Sequence, residues 1–228
     1  MPVASTRFLD RHDAGRQLAD RLAPLGLHQP VVLGLPRGGV PVAAEIAKRL
    51  GAEVEVFVAR KVGAPGQPEL GIGAVAEGSE LLVVTETALQ LGIDDDQMDR
   101  LAMQSRAELE RRVTAYRGDR ALPALGGRDV IVVDDGLATG VTAQAALLAL
   151  RAHEPSRLIL AVPACPSGSA ERMAEFADEV VWLIAPDRFY AVGEWYDDFR
   201  QVTDAEVADL LSGRASPPDD AGGRTIPT

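Results

Sequence analysis

Apolar residues recur along the chain in two rhythms, and their order predicts the architecture. Ala14, Leu18, Leu22 and Leu25 fall at helical spacing behind Asp10, which can cap a first turn, so a surface-packed helix is expected over residues 10–25. The apolar run 31–35 stops at Pro36-Arg37-Gly38-Gly39. Helical spacing returns over 40–50 and alternation over 53–59, giving strand, tight loop, helix, strand. Between Arg60 and Leu70, the residues Gly63, Pro65, Gly66 and Pro68 interrupt any regular element. A mobile loop on a hairpin is expected there, with strands at 71–75 and 81–85.

Asp94-Asp95-Asp96 then opens a long amphipathic helix to about Arg117, with Met98, Leu101, Ala102, Ser105, Leu109, Val113 and Tyr116 on one stripe. Residues 130–133, 158–162 and 180–184 are short apolar runs of the kind buried on both faces of a sheet. Helices are expected at 142–152 and 169–177. This alternation predicts a single-domain α/β fold, a mainly parallel sheet with helices on both faces. From Ser212 the sequence turns to Gly, Ser, Pro and Asp without apolar periodicity, so one domain over 1–212 and a disordered tail over 213–228 are expected.

Composition narrows the function. With 46% hydrophobic residues among 228, disorder is excluded as the main state, and 34 acidic against 23 basic side chains leave a formal charge of -11. An extended polyanion would be repelled, so no nucleic-acid partner is expected. Cys165 is the one cysteine, and with His12, His28 and His153 it gives no zinc-ligand spacing and no internal disulfide. A reducing, cytoplasmic setting follows. No apolar stretch approaches the roughly 18 residues of a membrane span, so no membrane partner is expected either.

Candidate chemistry concentrates at residues 130–142. Four apolar residues are followed by Asp134 and Asp135, then by a small-residue loop, Ala138, Thr139, Gly140, Val141 and Thr142, that opens into a helix. Ligands of open α/β sheets bind at the carboxyl ends of strands. Backbone N–H groups and two hydroxyls converging at a helix N-terminus suit a phosphate, and the carboxylates suit a neutral polyol. The combination points to a sugar phosphate.

These thirteen residues resemble the phosphoribosyl-diphosphate (PRPP) signature of type I phosphoribosyltransferases: four apolar, two acidic, then Gly-x-Ala-Thr-Gly-x-Thr. The order of elements over roughly residues 30–200 is also similar to that family. The resemblance implies that Asp134 and Asp135 hydrogen-bond the ribose hydroxyls, and that Ala138, Thr139, Gly140, Val141 and Thr142 cradle the 5′-phosphate. It implies a pyrophosphate loop at Arg37, Gly38 and Gly39, and a basic root of the flexible hairpin loop at Arg60 and Lys61. It also implies a small hood after the last strand, over residues 186–199, where five of the ten aromatic residues lie. Phe189 is there a candidate for stacking on the acceptor and Asp197, more weakly, for the metal side; the aromatics of this segment are equally readable as completing the core.

What the resemblance implies for activity is transfer of the 5-phosphoribosyl group of PRPP to a nitrogen acceptor, a nucleobase or related small molecule, with release of pyrophosphate. Mg²⁺ would be held mainly by PRPP itself, Asp134, Asp135, Arg37 and Lys61 would carry catalysis, and the setting would be nucleotide metabolism. A homodimer is compatible with the family. Ala138 stands where 6-oxopurine enzymes have an acid, and no lysine occurs beyond Lys61, so hypoxanthine and guanine are disfavoured as acceptors. Glu108, Arg111 and Arg112 on the long helix read as a solvated face, or as arginines reaching an acceptor pocket. The competing functional reading is a non-catalytic sensor of PRPP or nucleotides on the same fold. An unrelated phosphatase or sugar-phosphate enzyme would need a nucleophile motif, and none appears. A dinucleotide-type match, Gly71-x-Gly73-x-x-Ala76, lacks the strand before it and the helix after it.

Overall fold

A computed structural model describes residues 7–80 and 82–212. In chain order the elements are α1 (Arg11–Leu22), β1 (Val31–Gly34), α2 (Gly39–Leu50), β2 (Glu53–Val56), β3 (Ala59–Ala64), β4 (Gln67–Ala76), β5 (Leu82–Val84), α3 (Glu86–Gln90), α4 (Asp95–Arg117), β6 (Asp129–Val133), α5 (Val141–Arg151), β7 (Arg157–Ala164), α6 (Ser167–Met173), β8 (Glu179–Ile184) and α7 (Asp204–Leu211). β2, β1, β6, β7 and β8 form, in that order, an all-parallel sheet, and β3, β4 and β5 form a separate antiparallel one.

The expected α/β class is borne out, and the pleat explains how one apolar run serves two cores. Val31, Leu33, Val130, Val132, Leu158 and Leu160 face Ala146, Leu147 and Leu150 of α5. The alternate residues Val32, Ile131, Val133, Ile159 and Ala161 face Leu18 and Leu22 of α1 and Ala43 and Ile46 of α2. Each Val, Leu or Ile so buried contributes about 1.5–3 kcal/mol before entropy is subtracted. Asp10 caps α1 as expected, its carboxylate accepting from Asp13 N at 2.7 Å. Asp94 and Gln97 form a reciprocal capping box on α4.

Three expectations change. The punctuated stretch 60–70 is paired strand, not irregular chain: β3 and β4 run antiparallel up to a two-residue turn at Pro65 and Gly66. Gly63 has no room for a side chain against Pro68 and sits where the register shifts, so the glycines and prolines build a bulge and a turn that pairing tolerates. β7 continues through Pro163 to Ala164 rather than ending at 162. The short helices α3 and α7 add to the expected elements, although Thr203 and Glu206 make a capping box for α7 that the sequence carries openly. The tail at 213–228 lies outside the described residues. Among those described, no helix is long and apolar enough to cross a membrane.

Candidate active site

The strand order reverses between β1 and β6, and both strands send a loop to the same crevice, where open α/β sheets bind ligands. Leu35 N donates to Val133 O at 2.8 Å, extending the ladder past the strand ends. The loop 36–39 then crosses directly over Asp134 and Asp135. A methyl group at Gly39 would overlap Val133 O, and one at Gly38 would overlap the Asp135 carboxylate. Two glycines are therefore required sterically: they let one backbone lie against the other. The Pro36–Arg37 peptide is cis.

Beyond the acid pair, Gly136 packs under Val192, and Gly140 takes φ +78° as the residue that opens α5. Ala138 and Thr139 are exposed, whereas Val141 and Thr142 already lie in the first turn of α5, whose leading N–H groups have no intrahelical acceptor. Ser169 Oγ donates to Ala138 O at 3.2 Å and is itself held by Arg172, fixing the loop from α6. The five residues expected to cradle a phosphate thus share one strand-to-helix turn beside the carboxylates.

Burial pushes the Asp134 carboxyl well above the usual carboxylate range, and the neighbouring charge of Asp135 adds to the shift. Burial raises Asp135 as well, opposed by Arg11. Asp134 Oδ1 accepts from Asp135 N at 2.9 Å. Asp135 Oδ2 accepts from Arg11 Nε at 2.8 Å, with both side chains little exposed, and Tyr196 O–H donates to Asp135 O at 2.6 Å. Arg11 is buttressed in turn: it donates to Arg200 O at 2.9 Å, and its guanidinium lies 3.9 Å from the Phe199 ring centre.

Sequence reasoning missed Arg11, yet its signal was present. It begins the stripe that continues through Ala14, Leu18 and Leu22, so the helix that buries those leucines must bury a guanidinium with them. The other expected residues are placed as follows. Arg37 turns from the acid pair, its Nη1 3.7 Å from Asp204 Oδ1. Arg60 lies opposite Val75 on β3 with its Nε buried and without a hydrogen bond, and Lys61 is exposed with its stem packed over Gly71. Phe189 is half-buried, stacked on Trp195 with ring centres 6.1 Å apart and packed beside Phe8 and Tyr196. Asp197 is exposed, 3.8 Å from Arg7.

Asp134, Asp135, Gly38, Gly39 and the 138–142 loop therefore form one constellation, with the tips of Arg37 and Asp197 directed elsewhere. Known proteins resemble the chain over most of its length. The curated Mycobacterium tuberculosis protein Rv0571c of strain H37Rv, provisionally named a phosphoribosyl transferase, is 47% identical over 204 residues. That match covers 90% of this chain and 46% of the relative, so the chain spans about half the relative's length. The crystal structure of TT1426 from Thermus thermophilus is 49% identical with a TM-score of 0.77, covering 92% of this chain and 100% of that one. Residues 9–193 match the model of the phosphoribosyl transferase domain, and the chain belongs to that family.

Proposed function

We propose that this domain transfers the 5-phosphoribosyl group of PRPP to a nitrogen acceptor, releasing pyrophosphate. The observation that carries the reading is the contact between Gly38 and Asp135, which puts a phosphate-sized loop, two carboxylates and a glycine loop around one crevice. In this arrangement the backbone at 138–142 receives the 5′-phosphate, with no side chain to desolvate at Gly140. Asp134 and Asp135 accept from the ribose hydroxyls and place their negative charge beside the anomeric carbon, where cationic character develops as the C–O bond to diphosphate breaks. Arg11 fixes the Asp135 carboxylate through Oδ2, leaving Oδ1 for the ligand. The 36–39 loop backbone, with Arg60 and Lys61, is assigned to the diphosphate, while the Arg37 side chain, expected there from the sequence, turns to Asp204.

Two close carboxylates supply hard oxygen donors compatible with Mg²⁺, which is held largely by ligand oxygens and here would add charge neutralisation of the leaving diphosphate. Among the described residues there is no group of three or more His, Cys, Asp or Glu that could hold a metal by itself. For the acceptor, Ala138 offers no acid, and the segment after β7 presents Cys165, fully buried, where a base-reading side chain would be wanted. An acceptor other than a 6-oxopurine follows, with Phe189 the candidate stacking surface.

A non-catalytic PRPP sensor is the second reading, favoured by the pairing of Arg37 with Asp204 rather than with anything at the crevice. Pyrophosphate release from PRPP, assayed with Mg²⁺ across a panel of nucleobases and small amines, separates the two. Acceptor-dependent release supports transfer; tight PRPP binding without release across the panel supports the sensor; absence of PRPP binding overturns both.

A further inference from the structure

Arg37 points into a separate cavity of about 110 Å³, lined by Arg37, Arg111, Arg112, Ala115, Tyr116 and Asp204. The space is well below the roughly 300–1,000 Å³ of a cofactor pocket, and suits a single phosphoryl-sized group. Its charge runs against that of the chain. Arg111 and Arg112 share one carboxylate, Glu108, with Arg111 Nε at 2.7 Å from Oε2 and Arg112 Nε at 3.0 Å from Oε1. Asp204 faces Arg37 at 3.7 Å, beyond hydrogen-bond reach, and accepts from Tyr116 O–H at 2.7 Å. Three guanidinium groups therefore meet two carboxylates, in a chain whose net charge is -11.

Two of the three guanidinium groups have donors to spare, whereas Arg111 commits Nε and Nη2 to Glu108 and keeps Nη1. Among the described residues the Arg37 guanidinium makes no hydrogen bond, and Arg112 spends only its Nε, leaving both Nη groups uncommitted. Guanidinium forks in this state match phosphate oxygens two at a time, which a point charge cannot. Tyr116 is held as a neutral phenol, its hydroxyl pushed up to about 12 by burial and by Asp204, so it remains a donor at any working pH.

We propose that this cavity between α4, α7 and the 36–39 loop is a second anion site, taking one phosphate group through Arg37, Arg111 and Arg112. Its lining takes only Arg37 from the 36–39 loop and neither Asp134 nor Asp135, and its existence does not depend on the proposed activity. The group is free inorganic phosphate or the terminal phosphate of a small ester; the chemistry recognised is the same. Asp204 is the element that limits affinity, because its charge faces the position the anion takes.

The test is calorimetric titration of the full chain with inorganic phosphate, repeated with ribose 5-phosphate to tell a free from an esterified ligand. Arg111→Gln with Arg112→Gln is expected to weaken this site about tenfold or more, as loss of charged hydrogen bonds does. Asp204→Asn is expected to tighten it several-fold, a sign that a merely structural role for Asp204 would not produce. If the crevice also binds phosphate, the wild-type chain shows two binding events and only one of them weakens in the double variant; if the crevice does not, the single event weakens. Equal stoichiometry and affinity in wild type and double variant, with folding of the variant verified by circular dichroism, would overturn the proposal. So would an Asp204→Asn chain that binds phosphate no better than wild type.

Discussion

Arg11 Nε donates to Asp135 Oδ2 at 2.8 Å, tying the first turn of α1 to the carboxyl end of β6 across 124 positions of sequence. Removing the arginine leaves a buried carboxylate without its cation, a change that typically costs about 3–5 kcal/mol. Arg11→Ala is therefore expected to lower the melting temperature at pH 7 by many degrees. It should do less harm near pH 5. Without Arg11 the Asp135 carboxyl moves further above its unfolded value, and a raised carboxyl stabilises the native state progressively as pH falls towards that unfolded value. Thermal melts at both pH values check this, and an equal loss at each would contradict it.

Asp134 has no cation of its own, and its carboxyl is raised chiefly by burial. Holding it ionised at neutral pH costs folding free energy, and the cost fades as pH falls from above the native value towards about 4. Asp134→Asn keeps an oxygen for Asp135 N while removing the charge, so the variant should melt higher than wild type at pH 8, with the difference shrinking at pH 5. PRPP affinity or turnover should fall about tenfold or more, since a hydrogen bond to a charged group contributes about 1.5–3 kcal/mol. A variant that is both more stable and fully active would remove the functional role assigned to Asp134.

These two carboxylates were legible from sequence because an apolar four-residue strand, an acidic pair and a small-residue loop each have one local meaning, and the meanings agree. The layers around them were legible for the same reason, through periodicity at Leu18, Ile131 and Leu147. What was not legible depends on contacts between distant segments. Nothing near Arg11 in sequence announces Asp135, and nothing near Arg37 announces Asp204. The β3–β4 hairpin reads as irregular when Gly63, Pro65, Gly66 and Pro68 are weighed singly as breakers, whereas in pairs they shape a bulge and a turn.

Gly38→Ala tests the crevice sterically. The added methyl group would occupy the position of the Asp135 carboxylate oxygen, so loop or carboxylate must shift. PRPP binding is expected to be lost while far-ultraviolet circular dichroism and the unfolding midpoint change little, because the loop can move outward at the partly exposed Gly38. Retained affinity would place the ligand elsewhere.

The buried pair Glu77–Arg117 joins the end of β4 to the last turn of α4. Both side chains are 8% exposed, and Glu77 Oε1 also accepts from Val58 N at 3.0 Å. Arg117→Met alone should destabilise by about 3–5 kcal/mol, because Glu77 is then buried unpaired. Adding Glu77→Gln should recover part of that loss, since the amide oxygen still serves Val58 without carrying charge. Urea unfolding midpoints of the single and double variants decide whether the recovery occurs.

β1 and β6 are hydrogen-bonded neighbours, yet residues 35–128 intervene between them. The crevice is thus closed around a long excursion that carries first α2 and β2, part of the parallel sheet's own layers, and then β3, β4, β5, α3 and α4. Loop-closure entropy grows only by about 0.6 kcal/mol for each doubling of length, so that excursion can lengthen or shorten at small thermodynamic penalty. Within that excursion the crevice is pinned at the first turn, by backbone contact at Gly38 and Gly39, and again at β2, which pairs with β1; the stretch from β3 to α4 is the part whose length can change at that small penalty.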